Sequence, residues 1–167
     1  LNDDAAIRGI AQAANRYVKI DLILSRRFNC NTEVLPGQGG DNVEGINRIL
    51  KMTYYDSPQT KGFNARWFAV EKDGAIFVPN DNPKAKSPEE RALNSHAKFM
   101  SIDGAIAIVG SANHDTQSWN HSREQNLMIF DSVVTQSWDS AIFGENFANA
   151  QDVRREELDK KWFDCSP

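Results

Sequence analysis

Small and apolar residues recur at helical spacing from Ala6 to Tyr17 (Ala6, Ile7, Ile10, Ala13, Ala14, Tyr17), which predicts an amphipathic helix. Asp3 or Asp4 stands where a carboxylate can accept hydrogen bonds from the first free backbone N–H groups of that helix. The period then shortens to two: Val18, Ile20, Leu22 and Leu24 predict a strand that stops before Ser25. A helix running straight into a strand points to an α/β layer arrangement. Residues 29–42, with Pro36, Gly37, Gly39 and Gly40, predict a polar loop. Ile46, Ile49, Leu50 and Thr53 supply the buried stripe of a second helix, from Val43 to about Tyr54.

Pro58 and Gly62 interrupt the chain, and Phe63 to Val70 predicts another strand. Residues 71–94 hold a short hairpin around Asp73-Gly74 and then an insertion marked by Pro79, Pro83 and Pro88. Two strands joined by Asp103-Gly104 follow, then a polar connection and a strand from Glu124 to Phe130. A helix or helix pair closes the chain from about Val133 to Trp162. The order α-β-α-β-ββ-β-α, without an internal repeat, predicts one α/β domain over residues 1–167, a mixed central sheet flanked by helices.

Candidate chemistry gathers on the Asp103-Gly104 hairpin. Asp-Gly between two apolar runs signals a two-residue turn. That turn pairs Ile102 with Ala105, Lys98 with Val109 and His96 with Ser111, so His96, Lys98 and Ser111 share a face. Asn113 continues the line just past the strand. The rest of that face (Met100, Ile102, Ala105, Ala107, Val109) and the opposite one (Ala97, Phe99, Ile106, Ile108) are apolar, which predicts central strands buried on both sides. An imidazole and an ammonium at the end of such strands are costly to desolvate without a partner, and an anionic substrate group would be that partner.

The pattern His-x-Lys-x-x-x-x-Asp (His96, Lys98, Asp103) followed by Gly-Ser-x-Asn (Gly110, Ser111, Asn113) resembles the signature of the phospholipase D superfamily. Gln117 to Trp119 and Glu124 to Asn126 are also similar to family members, as are residues 5–24 and 124–147 more generally. The run Asp115 to Trp119 is most similar to microbial phospholipase D-like enzymes, secreted toxins among them. The resemblance implies a phosphodiesterase that cleaves phospholipid to phosphatidic acid and head-group alcohol. One histidine, His96, forms a phosphohistidine while a second protonates the leaving alcohol. Lys98 and Asn113 would hold the non-bridging oxygens, Ser111 would bond nearby, and Glu124 would orient a histidine. Asp103, at the far end of the hairpin, would serve the turn. The family's chemistry implies no metal and no cofactor. An endonuclease or a phosphatidyltransferase would use the same intermediate, whereas a non-catalytic binding domain sits badly with intact His96, Lys98 and Asn113.

A family site uses two such motifs, and this chain has one, since His114 and His121 lack a lysine two residues on. The expectation is a C-terminal half completed by another chain or segment, with a single-motif homodimer as the alternative. The opening Leu-Asn-Asp-Asp has no signal-peptide character, so a processed product or a fragment is expected. A net charge of −4 speaks against broad capture of a nucleic-acid backbone and leaves a phospholipid substrate, with transient membrane-surface contact, in front. A secreted or exported location is the expectation. Cys30 and Cys165 match no metal spacing and stand either bridged or free; a bridge would imply an oxidising compartment. Of the other candidates, His114 and His121 read as rim residues, Trp67 and Trp138 as core, and Trp119 as substrate-facing. Arg154, Arg155, Lys160 and Lys161, among Glu156, Glu157 and Asp159, read as a solvated helix face.

Overall fold

The computed structural model describes residues 1–26, 40–60, 62–79 and 95–158. Helix α1 (Asp4–Asn15) starts where the Asp3 carboxylate accepts the N–H groups of Ala5 (2.8 Å) and Ala6 (3.2 Å). It buries Ala6, Ile7, Ala11 and Ala14. Tyr17, at φ +63°, turns the chain into β1 (Ile20–Leu24). Val18 was expected inside this strand but precedes it, 46% exposed. Helix α2 (Asn42–Met52), capped by Asp41 on the Glu44 N–H at 3.0 Å, turns Ile46, Ile49 and Leu50 inward as the periodicity requires.

Strand β2 (Phe63–Trp67) lies parallel to β1, with Ile20 opposite Phe63 and Leu24 opposite Trp67. Parallel neighbours need a crossover, and α2 supplies it. Phe63, Ala65 and Trp67 alternate inward at 0–1% exposure and join Ile7, Ile46, Ile49 and Val153 in the core. The single strand expected over 63–70 ends at Trp67. Its continuation is the hairpin of β3 (Val70–Lys72) and β4 (Ala75–Phe77), turned by Asp73 and Gly74 at φ +54° and +78°.

Strands β5 (Phe99–Ile102), β6 (Ile106–Gly110) and β7 (Asn126–Phe130) form a separate antiparallel sheet in that order. The Asp103-Gly104 turn is present, both residues left-handed (φ +52° and +62°), and the Ala105 N–H donates to the Ile102 carbonyl at 3.0 Å. Ile102 nevertheless pairs with Ile106, and Ala105 takes no partner in the ladder. The loop is one residue longer than expected, so the register moves by one and the cross-strand neighbours on each face change. Lys98 stands opposite Gly110, whose N–H donates to the Lys98 carbonyl at 3.3 Å, and not opposite Val109.

Burial on both faces is not what the structure shows. One face, holding Ser101, Ala107 and Ile129, is covered by α4 (Ser132–Trp138) and the π-helical turn Asp139–Gly144, where Ser101 donates to Asp139 at 2.8 Å. The other carries Met100, Ile102, Met128 and Phe130, each 37–73% exposed. Ahead of β7, residues 116–120 form a short helix, α3 (Thr116–Asn120), so that the strand expected from Glu124 begins at Asn126.

The closing helix or helix pair expected from about Val133 to Trp162 is interrupted by a strand. After α5 (Glu145–Asn149) the chain extends at Ala150 into β8 (Gln151–Asp152), which pairs antiparallel with β2 and makes that sheet mixed, then enters α6 (Arg155–Leu158). Glu157, expected on a solvated face, is buried. It accepts from the Trp67 indole N–H at 3.1 Å and from Arg154, and lies 3.7 Å from the buried Arg26 guanidinium. Packing α6 onto β2 brings these groups together, and a buried carboxylate is tolerable only with such partners. Trp67 is core, as expected; Trp138 is only half-buried. Cys30, Cys165, Lys160, Lys161 and most of the two polar loops lie outside the described residues.

Candidate active site

The open end of the β5–β6 hairpin collects the polar groups. In the observed register Lys98, Gly110 and Asn126 form one cross-strand row. Gly110 has no room for a side chain there: a Cβ would collide with the Gln125 carbonyl and with Asn126. That gives the glycine of Gly-Ser-x-Asn a steric reason. Lys98 is half-buried, and its Nζ donates to the His96 carbonyl at 2.9 Å. Desolvation pulls its pKa below the ordinary lysine value, opposed by the nearby carboxylates of Asp115 and Glu124.

Past Gly110 the backbone leaves the strand, and this bend, not strand alternation, decides where the remaining residues go. Ser111 falls on the opposite row from Lys98, yet its hydroxyl reaches Glu124 Oε2 at 2.5 Å. The other carboxylate oxygen of Glu124 accepts from Ser118 Oγ at 2.8 Å. These two hydroxyls, helped by the positive charge of Lys98, hold the Glu124 carboxyl below its usual pKa against a smaller opposing effect of burial. Ser118 also accepts the Asn113 N–H at 3.1 Å, while its own N–H donates to the Asp115 carboxylate at 2.7 Å. Asp115 is the N-cap of α3 and is buried, as is Ser118.

The expected site residues are therefore placed as follows. His96 is exposed, and Lys98, Glu124 and Ser111 gather at the same end of the sheet. Asn113 joins through its backbone, its carbonyl accepting the Trp119 indole N–H at 3.1 Å. Trp119 itself is 52% exposed, and its ring lies 6.2 Å from that of His114. Asp103 sits in the turn beyond the opposite end of β5. His114 ties the connection to the first helix: its carbonyl accepts the Asn2 N–H at 2.9 Å. His121 is exposed at the end of α3. Asp115 and Ser118 went unnoticed as site residues. Their spacing, an aspartate three residues ahead of a group with a free N–H, is a helix-cap pattern that could have revealed them. Among the described residues no cluster of three or more His, Cys, Asp or Glu side chains could hold a metal, and no helix is long and apolar enough to cross a membrane.

Mixed α/β layers with His-x-Lys just ahead of β5 and Gly-Ser-x-Asn at the end of β6 fit the phospholipase D superfamily, whose members are phosphodiesterases and transferases. The model of one family, described as the phospholipase D-like domain of cardiolipin synthase, matches residues 1–144, and the chain belongs to that family. No curated protein and no solved structure matches the chain.

Proposed function

We propose that this chain is one half of a phospholipase D-type enzyme that hydrolyses phospholipid to phosphatidic acid and a head-group alcohol. The observation that carries the reading is the placement of Lys98 beside Glu124 and Ser111, at the hairpin end where His96 is exposed. An imidazole nitrogen of His96 attacks phosphorus, forming an N–P bond as the P–O bond to the head group breaks. The proton for the departing alkoxide comes from a second histidine, supplied by a complementary half. Water then attacks phosphorus, gives its proton to that same histidine, and releases His96. Lys98 and the Asn113 carboxamide neutralise the charge on the phosphoryl oxygens. The second motif comes from another chain or segment, or from a second copy of this chain. The exposed apolar face of Met100, Ile102, Met128 and Phe130 supports such a partner.

The family description names a synthase, which favours a second reading in which an alcohol takes the phosphatidyl group in place of water. Incubating the assembled protein with phosphatidylcholine, with and without glycerol, separates the two readings by their products. Plasmid DNA in a parallel tube checks the nuclease alternative. Phosphatidic acid is the expected product; nicked plasmid with intact lipid would overturn the lipid reading. Native mass measurement shows whether a partner is needed, since an active monomer of this chain would contradict the half-site.

A further inference from the structure

The hydrogen bonds around Glu124 converge on one buried side chain that the proposed mechanism does not use. We propose that Ser118 is a positioning residue, whose single hydroxyl fixes both the Glu124 carboxylate and the backbone of Asn113. Its Oγ donates to Glu124 Oε1 (2.8 Å) and accepts from the Asn113 N–H (3.1 Å). A hydroxyl has one donor and two acceptor sites, so these two bonds can form at once with opposite polarity. The direction is dictated: an ionised carboxylate only accepts, so the hydroxyl proton points to Glu124 and the lone pairs remain for Asn113.

Ser118 is itself held in place. It is 8% exposed, and its N–H donates to the buried Asp115 carboxylate at 2.7 Å. The anchoring therefore runs from Asp115 through Ser118 to two separate groups of the site. Ser111 holds the other oxygen of Glu124 from the strand end, so the carboxylate is gripped from both sides and cannot rotate freely. Neither hydroxyl alone fixes its plane. The same contacts favour the charged form of Glu124, so a loss of Ser118 is readable as a titration shift as well as a loss of rate.

The role of Glu124 in turnover rests on the proposed function, but its tie to Ser118 does not. The test uses the assembled protein with Ser118→Ala, Ser118→Cys or Ser118→Thr in this chain, and thermal melting to verify the fold. Glu124 is followed by carboxyl-carbon NMR and phosphodiester turnover by a pH profile of kcat/KM. In Ser118→Ala the Glu124 titration and the acid limb of the profile both move to higher pH. Turnover falls about tenfold, the size of a lost hydrogen bond to a charged group. Ser118→Thr, which keeps the hydroxyl, returns both toward wild type, and Ser118→Cys, a weak donor of similar volume, falls between. An unmoved Glu124 titration in folded Ser118→Ala or Ser118→Cys overturns the proposal. An assembled wild type inert toward every phosphodiester, with the titration still moved by Ser118→Ala, defeats the functional reading and supports this one.

Discussion

The β1–β2–β8 sheet and the β5–β6–β7 sheet are each three strands wide, yet their surroundings differ sharply. One face of the first is covered by α1 and α2, and Phe63, Ala65 and Trp67 on that face are almost wholly inaccessible. On the second, only Ala107 belongs to the buried apolar set, while Leu127, Met128 and Phe130 are half or more exposed. Both sheets are rich in apolar residues, so composition alone does not separate them. The difference is what packs on top. One sheet has a helix layer supplied by its own crossover; the other has the C-terminal helices on one face and, among the described residues, nothing comparable on the face that carries Lys98. Burial is concentrated in the first layer and the proposed chemistry in the second.

The largest effect is expected from His96→Ala in the assembled enzyme. Because His96 is exposed, the melting temperature should hold while turnover falls on the order of 10³-fold or more. Retained turnover in a verified variant removes His96 from the mechanism. On the other side, Phe63→Ala empties part of the sealed core and should cost about 3–5 kcal/mol in a denaturant titration. Gly110→Ala probes the seam between the roles, since the added methyl meets the Gln125 carbonyl and Asn126. Overpacking there should cost about 1–3 kcal/mol and disturb the site together with the sheet.

A subtler change comes from Glu124→Gln. The Glu124 charge raises the Lys98 pKa against desolvation, so removing it lowers that pKa further. Lys98 then loses its proton at lower pH, and the alkaline limb of the kcat/KM profile should shift downward. An alkaline limb that stays put or moves upward would mean that Glu124 does not hold the Lys98 charge. The smallest effect is reserved for Phe130→Ser. At 73% exposure in this chain it should alter unfolding free energy by no more than about 0.5 kcal/mol. A much larger loss, accompanied by a change in native mass, would show that the open face is covered by a partner.

Much of this architecture was legible in the residues. Asp3, Ile46 and Leu50 announced α1 and α2 because capping and helical periodicity are local properties. The Asp103-Gly104 turn was legible for the same reason, as both residues tolerate the left-handed backbone it needs. The family signature was equally visible, since His96, Lys98, Gly110, Ser111 and Asn113 stand at fixed spacing in one stretch of chain. What could not be read was anything that depends on a distant neighbour. The extra residue Ala105 shifts the ladder by one, so Lys98 faces Gly110 and Asn126, and only the bend after Gly110 returns Ser111 to Glu124.

The same reasoning covers Glu157 and Ser118. Nothing in the run Arg154 to Asp159 distinguishes a solvated glutamate from one buried against Trp67 and Arg26, because the partners lie about 90 and 130 residues away. The sequence by itself set α1, α2 and the Asp103-Gly104 turn, through backbone preferences acting over a few residues, and it grouped the candidate phosphate-directed side chains in one stretch of chain. Tertiary structure decided which strand face stays open, which carboxylate is buried, and which hydroxyls hold Glu124. Those outcomes depend on desolvation and packing between segments far apart in the chain, and local pattern does not encode them.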